Sequence, residues 1–176
     1  MKVFNLEEGV SDRLFYLVGA LFFVFCIWYA MQPVLLIESG GKVLFSMKAE
    51  SNLRFSTRFI HSVQKTPVEE YFLLNEDCSG FILKSTRYQS FGVGLPFLES
   101  DGTFRREGDN FIMDDLNRQI RVLELRPGVG TELSININGQ TLPLYEIVPI
   151  GSLVSVSIVS NYELGMRYFF GNAQRR

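Results

Sequence analysis

Residues 53–74 read LRFSTRFIHSVQKTPVEEYFLL. The odd positions from Leu53 through Phe55, Thr57, Phe59 and His61 to Val63 are mostly apolar, whereas Arg54, Ser56, Arg58 and Ser62 on the even positions are polar. A period of two turns one side of an extended strand toward a core and the other toward water. In Gln64-Lys65-Thr66-Pro67, Pro67 has no amide proton to give a ladder and suits a turn, after which 68–74 reads as a second strand. Outward from this hairpin the same texture recurs. Short runs rich in Val, Ile, Phe, Thr and Tyr, punctuated by Gly, Pro, Asn and Asp, predict strands at 35–38, 42–47, 81–88, 111–113, 119–125, 133–138, 142–147 and 153–160. Asn138-Gly139 is a strong hairpin signal and Gly40-Gly41 a weaker one, because tight primed turns need the left-handed dihedrals these residues tolerate. The expected fold class is all-β, a compact antiparallel sandwich or barrel-like domain.

Ahead of the β pattern, 14–31 reads LFYLVGALFFVFCIWYAM, an apolar run without a charge. At about 1.5 Å per helical residue it extends roughly 27 Å, close to the hydrocarbon thickness of a bilayer. Trp28 and Tyr29 stand where an interfacial aromatic anchors one end. A cleaved signal peptide competes with this reading, but the run is long for such a segment and Trp28 occupies a position where a small residue is wanted before Ala30. The expected organisation is a short tail at 1–13, one transmembrane anchor at 14–36 in contact with the lipid bilayer, and a single domain at 37–176. Lys2 and Arg13 before the run are balanced by Lys42, Lys48 and Arg54 after it. The short tail therefore decides orientation, and the domain is expected outside the cytoplasm, on a single-pass membrane protein.

A net charge of −2 and a pI near 5.5, with lysines and arginines scattered, give no electrostatic footprint for nucleic acid or an anionic lipid surface. Cys26 lies within the apolar run and Cys78 stands alone beyond it, so neither a disulfide nor a thiolate metal site is spelled. No cofactor is implied. The polar stretch 99–110, ESDGTFRREGDN, reads as an exposed loop or loose hairpin. Met166 to Phe170, MRYFF, reads as a last strand beside 153–160 or, alternatively, as an aromatic patch near the bilayer surface.

His61, the single histidine, falls on the apolar face of its strand. If Val63 pairs with Val68, then Phe59 meets Phe72, Thr57 meets Leu74, and His61 stands across from Glu70. A carboxylate removed from water needs a partner, and the imidazole is the nearest one this register offers. Such a pair is either structural, fixing register, or one wall of a binding site. Ser62 beside His61 does not make a catalytic couple, because neighbours on a strand point to opposite faces. One histidine with Glu69 or Glu70 falls short of a zinc ligand set. No catalytic or metal-ligating residue is assigned. The stretch 90–96, SFGVGLP, reads as a bulge or corner, and Arg58 and Arg87 are the cations best placed to meet a carboxylate ligand.

The two motifs FIHSVQKTPVEE at 59–70 and TRYQSFGVGLP at 86–96 resemble the bacterial family known as domain of unknown function 1850. The positions that carry the resemblance are His61, Ser62, Val63, Pro67, Val68, Glu70, Arg87, Ser90, Gly92 and Gly94, while Gln64 replaces the acid that members often have. The resemblance implies a setting more than a chemistry: members are typically encoded beside TAXI-type tripartite ATP-independent periplasmic (TRAP) transporters, whose solutes include glutamate and 2-oxoglutarate. It implies a non-enzymatic accessory subunit in the bacterial cell membrane, with a TRAP permease and solute-binding protein as partners. Gly19-Ala20 would offer the helix a small-residue contact. The alternative is an anchored module that binds or senses a small carboxylate through His61, Ser62, Glu70, Arg58, Arg87 and the Ser90, Gly92 and Gly94 loop.

Overall fold

A computed structural model describes residues 6–89 and 101–173, with backbone alone at 6–12 and 171–173. The chain runs α1 (Leu6–Ala30), β1 (Pro33–Ser39), β2 (Lys42–Lys48), β3 (Arg54–Ile60), β4 (Pro67–Leu74), β5 (Phe81–Tyr88), β6 (Thr103–Glu107) and β7 (Asn110–Asp114). It continues through β8 (Arg118–Ile120), β9 (Leu123–Leu125), β10 (Ser134–Ile137), β11 (Gln140–Pro143), α2 (Leu144–Ile147), β12 (Val154–Ser160) and α3 (Asn161–Ala173). The domain is mostly β, in two antiparallel sheets, as the alternation in the sequence predicts.

The smaller sheet has the order β2-β1-β12-β9, and the larger follows β11-β10-β3-β4-β5-β7-β6 with β8 also on β5. Odd residues of β1, Leu35 and Ile37, join Val154 and Val156 of β12 in the main core with Phe55, Phe72, Phe81 and Ile135 of the larger sheet. At its centre Phe55 stacks on its cross-strand neighbour Phe72 at 4.9 Å between ring centroids and meets Phe81 edge-on at 5.2 Å. Each fully buried phenylalanine contributes on the order of 1.5–3 kcal/mol. The even residues Val34 and Leu36 face the other way and form a second cluster with Val159, closed by Leu164 of α3. One face of the smaller sheet thus lines the core, and α3 covers the other.

Both hairpin signals hold. Gly40 and Gly41, at φ 55° and 74°, join β1 to β2, and Asn138 and Gly139, at φ 50° and 78°, join β10 to β11. From Thr103 the polar stretch enters a hairpin, β6–β7, whose first strand is exposed throughout. The expected strand at 119–125 is divided: β8 belongs to the larger sheet and β9 to the smaller, so the chain changes sheets at Arg121-Val122. The expected strand at 142–147 gives way after Pro143 to the single turn α2.

Two further expectations are corrected. α1 begins at Leu6, inside the expected tail, and ends at Ala30; residues 33–36, expected within the anchor, are strand, with Leu35 and Leu36 fully buried. Pro33 has no amide for a continuing helix but starts a strand without loss. From Arg13 to Ala30 the helix is long and apolar enough to cross a membrane, a test that a signal sequence also passes. The expected C-terminal strand at 166–170 is instead part of α3, because Ser160 and Glu163 form a capping box: Glu163 N donates to Ser160 Oγ at 3.1 Å and Ser160 N to Glu163 Oε2 at 3.0 Å. β12 does not need that strand, since β1 and β9 flank it.

Candidate functional site

The turn after Ile60 sets the geometry of the central hairpin. His61 N donates to Thr66 O and Lys65 N to His61 O, both at 2.9 Å, with Lys65 in the left-handed region at φ 56°. The His61 ring caps this turn: Nδ1 accepts from Val63 N and Gln64 N, each at 3.2 Å. Pro67 lies opposite Ile60 as the first residue of β4, and the pairs run Phe59–Val68, Thr57–Glu70 and Phe55–Phe72. The His61–Glu70 pair expected from the sequence therefore does not form. The displaced register differs from the expected one by an even number of positions, so the same residues face the core in both, and alternation could not separate them.

Glu70 instead sits on the core face between two buried threonines, Thr57 on β3 and Thr86 on β5. Thr57 Oγ1 donates to Glu70 Oε2 at 3.1 Å, whereas the buried Thr86 hydroxyl has no partner among the described residues. Burial pushes the Glu70 carboxyl above its ordinary pKa, opposed by the Thr57 hydrogen bond and by the charge of Arg118. This is an acid inclined to keep its proton.

Arg58 and Arg87 are brought together on the opposite, outer face, as the cross-strand neighbours of Glu69. Arg58 Nε lies 3.7 Å from Glu69 Oε1, and the Tyr71 hydroxyl donates to Glu69 Oε2 at 2.6 Å. Burial, then the Glu69 carboxylate, raises the Tyr71 hydroxyl pKa, while Arg87 opposes that rise. The carboxylate that Arg58 meets is thus the chain's own, and Arg87 interacts with Tyr71, which is bonded to that same carboxylate.

Beside this row an open cleft of about 660 Å³ lies over the outer face, lined among others by Arg54, Ser56, Tyr71, Lys84, Ser85 and Asn136. A bulge where Tyr71 pairs with Ser85 but Phe72 pairs with Leu83 leaves Lys84 as the extra residue, which turns Lys84 and Ser85 to the same side. Lys84 Nζ donates to Asn117 Oδ1 at 2.7 Å. The described lining holds two cations and several neutral polar groups but no acid, an arrangement suited to a small anion, with Arg54 able to grip a carboxylate through two parallel bonds.

His61 and Ser62 line a different cleft, of about 320 Å³, with Glu124 and Arg126. The candidate residues therefore divide among three places: His61 and Ser62 at the turn, Glu70 in the core face, and Arg58 with Arg87 outside. Ser90, Gly92 and Gly94 lie outside the described residues. Among the described residues no group of three or more His, Cys, Asp or Glu is gathered to hold a metal ion. Arg54 shares the even-numbered face of Arg58 and was readable from the alternation; Lys84 owes its position to a bulge that no local signal announces.

No curated protein and no solved structure matches the chain. A family model matches residues 55–144, a stretch that takes in the larger sheet from Phe55 of β3 to the end of β11, together with β9. That stretch is half of the sequence, and the chain belongs to the family described as domain of unknown function (DUF1850).

Proposed function

We propose that this chain is a single-pass membrane protein whose β domain, on the extracytoplasmic side, serves without catalysis as an accessory subunit of a TAXI-type TRAP transporter. The observation that carries the reading is the junction: only Met31 and Gln32 separate the apolar helix from a strand whose Leu35 and Ile37 lie in the main core. A retained helix joined so directly fixes the domain against the bilayer, where a permease and its solute-binding protein meet. Membership in the family favours the transporter setting, since its members are typically encoded beside such systems. The test is uptake of labelled glutamate and 2-oxoglutarate by cells lacking the chain: the reading expects loss of TAXI-dependent uptake, restored by the full chain, and unchanged uptake would overturn it.

A second reading, an anchored module that captures a small carboxylate, is favoured by the outer-face cleft with Arg54 and Lys84 and no acid in its described lining. Calorimetry on the detergent-solubilised full chain with a panel of dicarboxylates should give binding heat that Arg54→Ala and Lys84→Ala each reduce at least tenfold in affinity, about 1.4 kcal/mol. An absence of heat across the panel would rule this reading out.

A further inference from the structure

α3 has two unlike faces. At 100° per residue Leu164 and Arg167 share one side, which holds the helix to the smaller sheet: Leu164 packs with Val34, Leu36 and Val159, and Arg167 pairs with Glu38. Tyr162, Met166 and Phe169, spaced i, i+4 and i+7, share the opposite side with Phe170 at its flank, and Tyr162 and Phe169 are 63% and 73% exposed. A contiguous aromatic face left in water calls for an occupant.

Its position indicates which one. Asn161, the first residue of α3, donates from its side-chain amide to Tyr29 O in the last turn of α1 and from its backbone to Gln32 O, both at 3.0 Å. α3 therefore starts at the level where α1 ends, beside Trp28 and Tyr29, the aromatics expected at the headgroup boundary. Resting on the anchored reading given above, we infer that α3 is a second membrane contact, an interfacial helix whose Tyr162, Met166, Phe169 and Phe170 face enters the headgroup region of the leaflet that α1 leaves. In this placement α3 lies along the interface with its rings toward the acyl boundary, as amphipathic interfacial helices do. The domain is then held to the bilayer at two points, which restricts its tilt as a single helix would not.

The sole tryptophan, Trp28, reports on α1, and Trp28→Phe combined with Phe169→Trp moves the reporter to α3. Both full-length proteins are reconstituted into phosphatidylcholine–phosphatidylglycerol vesicles containing lipids brominated near the headgroup end of the acyl chain. The expected result is quenching of Trp28 in the wild type and, in the double variant, a blue-shifted emission that also loses most of its intensity to the brominated lipid. Tyr162→Trp on the Trp28→Phe background should behave alike and guards against a local effect at Phe169. Quenched Trp28 with water-like, unquenched emission from both α3 reporters would overturn the inference and leave the anchor standing. Blue-shifted but unquenched α3 reporters would overturn it in favour of a second copy of the chain as the occupant. Unquenched Trp28 would remove the anchored reading and this inference with it.

Discussion

Replacing His61 by alanine removes the acceptor of two turn amides, Val63 N and Gln64 N, and should lower stability by about 1 kcal/mol. His61→Asn keeps an acceptor near the Nδ1 position and should retain most of that stability, so thermal unfolding of the two variants separates a turn cap from a packing role. Glu70 makes a pH-dependent prediction. Because burial raises its folded pKa, the folded chain holds this proton more tightly than the unfolded one, and the contribution is full below about pH 4 and fades as pH rises through the raised value. Glu70→Gln removes that fade. In denaturant unfolding it should match the wild type near pH 4 and exceed it at pH 7. A loss at pH 7 that disappears near pH 4 would mean that the carboxylate is needed in its ionised form. Which residues face inward in this hairpin was legible from alternation; which residue faces Glu70 was not, since registers an even number apart bury the same side chains.

At the scale of elements, α3 depends on its cap and on one ion pair. Arg167 meets Glu38, whose side chain is 14% exposed and whose second carboxylate oxygen is buried without a partner among the described residues. Arg167→Ala should therefore cost about 1–3 kcal/mol, the penalty of an unpaired, largely buried charge, whereas Lys48→Ala, which breaks the exposed pair to Glu50, should cost less than 1 kcal/mol. Chemical denaturation of the two variants measures the contrast. The strand reading of MRYFF followed its aromatic propensity and passed over Ser160-x-x-Glu163, the capping box that starts this helix. The Asn138-Gly139 and Gly40-Gly41 hairpins were readable because the turn dihedrals select residue type directly. The bulge at Lys84 was not, because it depends on how β4 and β5 are matched across their length.

For the whole molecule, two sheets close around one core, α3 covers the smaller sheet, and α1 leaves from the first strand of that same sheet. The family match takes in the larger sheet, with the Arg58–Glu69–Arg87 row and nearly all of the cleft, and β9 of the smaller one, whereas α1, β1, β12 and α3 lie outside it. On the proposed accessory-subunit reading, a permease should be met through α1 and a soluble partner or solute through the outer face. The measurement that decides the matter is isolation of the chain, tagged at its C-terminus, from native membranes in mild detergent, followed by mass spectrometry of what accompanies it. The accessory-subunit reading predicts recovery of the intact chain, α1 included, with a TRAP permease or its binding protein. Recovery of the chain by itself, or of a soluble form cleaved after α1, would contradict it.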